Sequence, residues 1–177
     1  MLIRVFGLYW NPDAVDWGSR GAGNKGRLLG KAKVKSKNHP KGKTLEIDFW
    51  KARGIYVLYD GFKPVYVGKA WADPLGKRVR DHLTDRFAGR WDMFSWFSTS
   101  TMNSTSKDTR TAGARQVQPE EVVSTLEALS ILVTEAPLNR KRETMPESVN
   151  VEQKKSPHPH TIRHYLEKLI EHHKIKL

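Results

Sequence analysis

Apolar positions come in short bursts over the first hundred residues and in one long run near 119–136. LIRVFGLYW, residues 2–10, is rich in β-branched and aromatic types and predicts a strand, as does LEIDFW at 45–50. GIYVLYD and VYVGKA flank GFKP, and this order predicts a β-hairpin whose turn uses glycine and proline. DPLGKRVRDHLTDRF predicts a helix, with Asp73 as N-cap, Pro74 at the first helical position, and Leu75, Val79, Leu83 and Phe87 recurring every fourth residue. DMFSWFST predicts a third strand. PEEVVSTLEALSILVTEA predicts a second helix, with Val122, Leu126, Leu129 and Val133 on one face.

The remaining stretches are polar. Residues 19–44 combine Gly, Lys and Ser and predict a long mobile loop, interrupted at most by a short strand near Leu28–Val34. Their Gly21-Ala22-Gly23-Asn24-Lys25-Gly26 matches GxGxxG, but neither the buried strand nor the helix that a dinucleotide site needs flanks it. Residues 99–118 are Ser/Thr-rich and predict a loop; 143–160 predict a linker, and HTIRHYLEKLIEHHKIKL an amphipathic C-terminal helix. The organisation predicted is a basic N-terminal extension over 1–50, a core over 51–142 with a polar insertion at about 99–118, and a linker with a C-terminal helix over 143–177.

The chain carries 31 Lys+Arg against 19 Asp+Glu, a net charge of +12, which points to a polyanionic partner and to nucleic acid first. The excess is concentrated in nine cations with no anion between Ser19 and Thr44: Arg20, Lys25, Arg27, Lys31, Lys33, Lys35, Lys37, Lys41 and Lys43. No cysteine is present, which excludes disulfides and thiolate metal sites. No apolar run approaches a membrane span and the N-terminus turns polar too early for a signal peptide, so the expectation is a soluble, cytoplasmic chain without a membrane partner.

Arg78 and His82 are four apart and share a helix face beside the apolar stripe, where an arginine beside a histidine suits phosphate; a solvated basic face is the plainer account. Glu127 is the single ionisable residue in VVSTLEALSILVT. Such a carboxylate either reaches solvent on the helix surface or finds a cation such as Mg²⁺.

Gly54-Ile55-Tyr56, Tyr66-Val67-Gly68, Arg78 and His82 in LGKRVRDHL, Glu127 on a later helix and Asn139 after it together resemble the GIY-YIG nucleases, with Val67 in place of isoleucine. The resemblance implies an α+β fold: a small three-stranded antiparallel sheet flanked by helices, here with the basic N-terminal β/loop extension and the C-terminal helix added. It also implies a metal-dependent endonuclease acting on DNA, duplex first, with a homodimer serving double-strand cutting. Glu127 would hold one Mg²⁺ or Mn²⁺ per active site and Arg78 would clamp the phosphate. Tyr56 would activate water, Tyr66 and His82 would position Tyr56, the water or the phosphate, and Lys69 and Asn139 would support the site. A DNA- or RNA-binding module without catalysis is the alternative reading.

Overall fold

Alternation along GIYVLYD decides how the protein is layered: Tyr56 and Leu58 face one way, Val57 and Tyr59 the other, and all four are fully buried. A strand buried on both faces sits inside a sheet, with partners on each side and cover above and below. The computed structural model describes residues 1–18, 25–36, 39–135, 145 and 147–154. In it β1 (Val5–Trp10) is followed by a 3-10 turn at Pro12–Ala14, then β2 (Asp16–Gly18), β3 (Lys25–Arg27), β4 (Leu29–Ser36) and β5 (His39–Asp48). The hairpin is β6 (Gly54–Asp60) and β7 (Lys63–Ala70), and α1 (Leu75–Asp81) and β8 (Met93–Ser98) come next. After them come β9 (Thr101–Asn103), β10 (Asp108–Arg110), α2 (Pro119–Thr134), β11 (Val149–Asn150) and β12 (Glu152–Gln153).

The first sheet has the order β11-β1-β8-β6-β7 and the second β12-β4-β5-β10-β9, with β2 and β3 forming a separate pair. The expected α+β arrangement, a three-stranded antiparallel sheet flanked by helices, is therefore wrong. The described chain is mostly β, with two α-helices. The first sheet grows past three strands because β8 has a second edge, and β1 pairs with it antiparallel, Phe6 opposite Phe97. The second sheet arises where a mobile loop was expected. In LGKAKVK the lysines alternate with Ala32 and Val34, which is a strand period hidden under loop-like composition. Lys31 and Lys33 lie opposite Glu46 and Thr44 of β5 on the outer face, while Ala32 and Leu45 turn inward.

The supposed insertion at 99–118 supplies β9 and β10, and β10 pairs with β5 in parallel at Asp108 and Asp48. The supposed linker supplies β11 and β12, which tie the two sheets by pairing with β1 and β4. The C-terminal helix expected at 160–177 falls outside the described residues. Both sheets close on one core: Val5, Trp10, Leu28, Ile47, Phe49, Tyr56, Leu58, Phe94 and Trp96 cluster there, with Leu75 and Val79 of α1. On the opposite face of the first sheet, Ala128 and Leu132 of α2 pack with Phe6, Val57, Tyr59 and Phe97. No helix among the described residues is long and apolar enough to cross a membrane.

Candidate active site

Tyr56 is carried by the inner strand β6, Tyr66 by the neighbouring edge strand β7, and Arg78 and His82 by α1 and its C-cap. Gly68 lies directly opposite Tyr56 in the hairpin. A Cβ built there would overlap the Tyr56 ring and hydroxyl, so the glycine of YVG is what lets the phenol lie across β7. The Tyr56 hydroxyl meets His82 Nε2 at 2.7 Å, and His82 Nδ1 meets Asp85 Oδ2 at 2.6 Å. The Tyr66 ring stands 5.0 Å from the His82 ring and 4.8 Å from Phe87, centroid to centroid, and Phe87 is 5.4 Å from His82. A cleft of about 470 Å³ opens against Tyr66 and Phe87, with Leu58, Arg90 and Trp91 in its wall.

The electrostatics follow from this enclosure. Tyr56 has no exposed surface, and burial pushes its pKa up to about 12, with Tyr66 adding to the rise and the adjacent Arg78 guanidinium opposing it. Arg78 has its own pKa raised, by Tyr56 first. No carboxylate stands within ion-pair distance of Arg78 among the described residues, whereas its neighbour Lys77 is held by Asp73 at 3.0 Å and Asp81 at 3.5 Å. Asp73 thus serves as an ion-pair partner rather than the expected N-cap, a position taken by Pro74. Burial works against the Asp85 carboxylate, but the Phe87 N–H, His82 and Arg86 together hold its pKa below the ordinary value.

Four of the expected residues therefore converge: Tyr56, Tyr66, Arg78 and His82. Asp85 joins them, and the sequence reading missed it. Lys69 and Glu127 do not converge. Lys69 lies opposite Ile55, on the α2 face of the sheet, and is exposed. Glu127 is exposed on α2, which packs through Thr125, Ala128 and Leu132 against the face opposite Tyr56. A carboxylate there does not fit a divalent ion shared with Tyr56 and Arg78. Among the described residues no group of three His, Asp or Glu side chains is placed to hold a metal. Asn139 lies outside the described residues.

The expected DNA-contacting cations that can be placed lie on β3 and on the β4–β5 hairpin. Arg27, Lys31, Lys33, Lys41 and Lys43 are exposed on β3, β4 and β5. Lys25 and Lys35 lie on β3 and β4 with side chains outside the described part, and Arg20 and Lys37 lie outside it altogether. Lys43, opposite Val34, shares the inward face but lies towards the hairpin's tip, where it is exposed. No family model matches the chain, and neither a curated protein nor a solved structure matches it.

Proposed function

We propose that the chain hydrolyses phosphodiester bonds in nucleic acid, DNA first, at the cluster of Tyr56, Tyr66, Arg78 and His82. The observation that carries this reading is a guanidinium with no carboxylate within ion-pair distance among the described residues, set against a phenol whose oxygen lies 2.7 Å from a histidine nitrogen. Arg78 binds a non-bridging phosphate oxygen and stabilises the charge that grows on it in the transition state. A water's oxygen forms the new bond to phosphorus and gives its proton to the Tyr56 oxygen, while the Tyr56 proton passes to His82 Nε2. The bond to the leaving sugar oxygen breaks, that oxygen keeps the electron pair, and solvent protonates it. Tyr56 has no exposed surface, so the entering strand displaces Tyr66, which is only partly buried and stands 6.1 Å from the Tyr56 ring, centroid to centroid. The exposed cations of β3–β5 hold the polyanion by charge, independently of sequence.

The sealed hydroxyl also favours a second reading, a nucleic-acid-binding module whose tyrosine–histidine pair only braces the core. Incubating supercoiled plasmid with the protein in Mg²⁺ and in EDTA, alongside Arg78→Ala, separates the two. Cleavage by the wild type, reduced about 10²- to 10³-fold in the variant, supports hydrolysis at this cluster. Retained binding without cleavage by either protein leaves the module reading.

A further inference from the structure

Asp85 follows α1 by four residues, and its two carboxylate oxygens have different partners. Oδ1 accepts the Phe87 backbone N–H at 2.8 Å and Oδ2 accepts from His82 Nδ1 at 2.6 Å. The first bond fixes the carboxylate in a tight turn, so the second is made by a group that is itself held. Asp81, the other acid beside His82 in DHLTD, is engaged by Lys77 at 3.5 Å.

The direction of every proton follows from what each group can do. An ionised carboxylate only accepts, so Nδ1 carries the hydrogen. A neutral imidazole has one N–H, which leaves Nε2 with its lone pair facing the Tyr56 hydroxyl. The phenol therefore donates inward, to His82, and its oxygen lone pairs are left for Arg78, Tyr66 or an entering water. With the tautomer reversed, Nε2–H would donate to the phenol and His82 could take no proton from it.

We propose that Asp85 is a positioning residue of this site: it locks His82 in the Nδ1–H tautomer and so makes Nε2 the acceptor for the Tyr56 proton. Its catalytic consequence rests on the phosphodiesterase reading; the tautomer lock does not. When both protons have moved, Tyr56 is again a neutral phenol, Asp85 faces an imidazolium and Arg78 faces the charge grown on the phosphate, so each new charge has an opposite charge beside it. The charged and titratable groups around His82 and Tyr56 are Tyr66 from β7, Arg78 and Asp81 from α1, and Asp85 and Arg86 from the turn that follows.

The test is nitrogen-15 NMR of the imidazoles, with His82 assigned by the signal missing from His82→Gln, on wild type, Asp85→Asn and Asp85→Glu. Wild-type His82 is expected as the Nδ1–H form near neutral pH. Asp85→Asn, which can offer an amide N–H to Nδ1, is expected to shift His82 toward Nε2–H. It should also lower the cleavage rate by 10-fold or more, up to the ~10⁴-fold that the corresponding change costs a Ser–His–Asp triad. Plasmid affinity should stay unchanged, and Asp85→Glu should recover part of the rate. An Nε2–H tautomer in the wild type overturns the proposal without any variant having to fold. An unmoved tautomer in a folded Asp85→Asn protein overturns it too. If the wild type cuts nothing, the hydrolysis reading fails separately and the tautomer measurement still decides the role of Asp85.

Discussion

Replacing Tyr56 by phenylalanine removes one oxygen from the core, and its effect on stability should change with pH. At neutral pH the variant loses the hydroxyl's bond to His82 and leaves a buried imidazole nitrogen without its donor, a cost of about 1 to 3 kcal/mol. In alkali the balance shifts. The folded protein holds the Tyr56 proton up to about pH 12, whereas the unfolded chain releases it near the ordinary value of 10. The folded state therefore binds more protons in that interval and stability falls as pH rises. The stabilisation is fully present below pH 10 and lost by pH 12, a swing of about 2.7 kcal/mol for two pH units at 1.36 kcal/mol each. Phenylalanine has no proton to lose, so the two stability curves should converge above pH 10, the gap narrowing by up to about 2.7 kcal/mol by pH 12. Tyr59 and Lys77 also have raised pKa values, but they are common to both proteins and cancel in the difference. Urea unfolding followed by circular dichroism from pH 8 to 12 measures the gap, and phenolate absorbance reports the ionisation itself. Parallel curves across that range would refute the claim that burial dominates at Tyr56.

Changing Lys31, Lys33, Lys41 and Lys43 together to alanine should weaken binding to every DNA sequence alike and flatten the log-affinity against log-salt slope by about 0.9 per lost phosphate contact. An unchanged slope would remove the hairpin from the interface. Glu127→Gln should alter stability by less than about 0.5 kcal/mol and leave cleavage and its Mg²⁺ dependence alone, since the side chain is exposed on the far face. A collapse of cleavage there would restore the metal role that the geometry denies it. Gly68→Ala should destabilise by about 1 to 3 kcal/mol, because the new methyl needs the space filled by the buried Tyr56 ring; a neutral melt would contradict that packing.

The hairpin could be read from sequence because its signals are local: two short apolar runs on either side of Gly61, which has a φ of 58° at the turn. Pro64, expected in the turn, instead lies inside β7, which tolerates it as an edge strand. Arg78 and His82 could be read because helical spacing alone puts them on one face. What failed was whatever tertiary contact decides. Helix α2 has apolar residues on nearly every side, so its stripe could not be chosen from sequence. The protein buries Thr125, Ala128 and Leu132 and leaves Val123 and Leu126 exposed. Small residues let the helix approach the sheet, and Thr125 Oγ1 receives the Leu2 N–H at 3.2 Å. That choice of face also carries Glu127 away from the tyrosines. Asp85 was hidden differently, since DHLTD offers two acids near one histidine and only the turn after α1 selects between them.

A buried tyrosine braced for stability needs one hydrogen-bond partner, and Tyr56 has more around its hydroxyl than that. A histidine acceptor, a guanidinium and a second phenol surround one oxygen, and the histidine is backed by a carboxylate. Core packing alone gives no reason to set a cation that has no carboxylate within ion-pair distance among the described residues beside that oxygen, since partial desolvation of the charge is a cost. Nor does burial disqualify the phenol as a base. An exposed phenol would titrate near its ordinary value and give up its proton to solvent. A phenol pushed up to about 12 can act near neutral pH only if its proton has a fixed place to go. His82 provides that place on the inner side and leaves the oxygen's lone pairs toward the cation, where an anionic substrate would be drawn. On the phosphodiesterase reading, the burial that removes Tyr56 from solvent makes the inward proton path a requirement of catalysis, in addition to what that hydrogen bond contributes to stability.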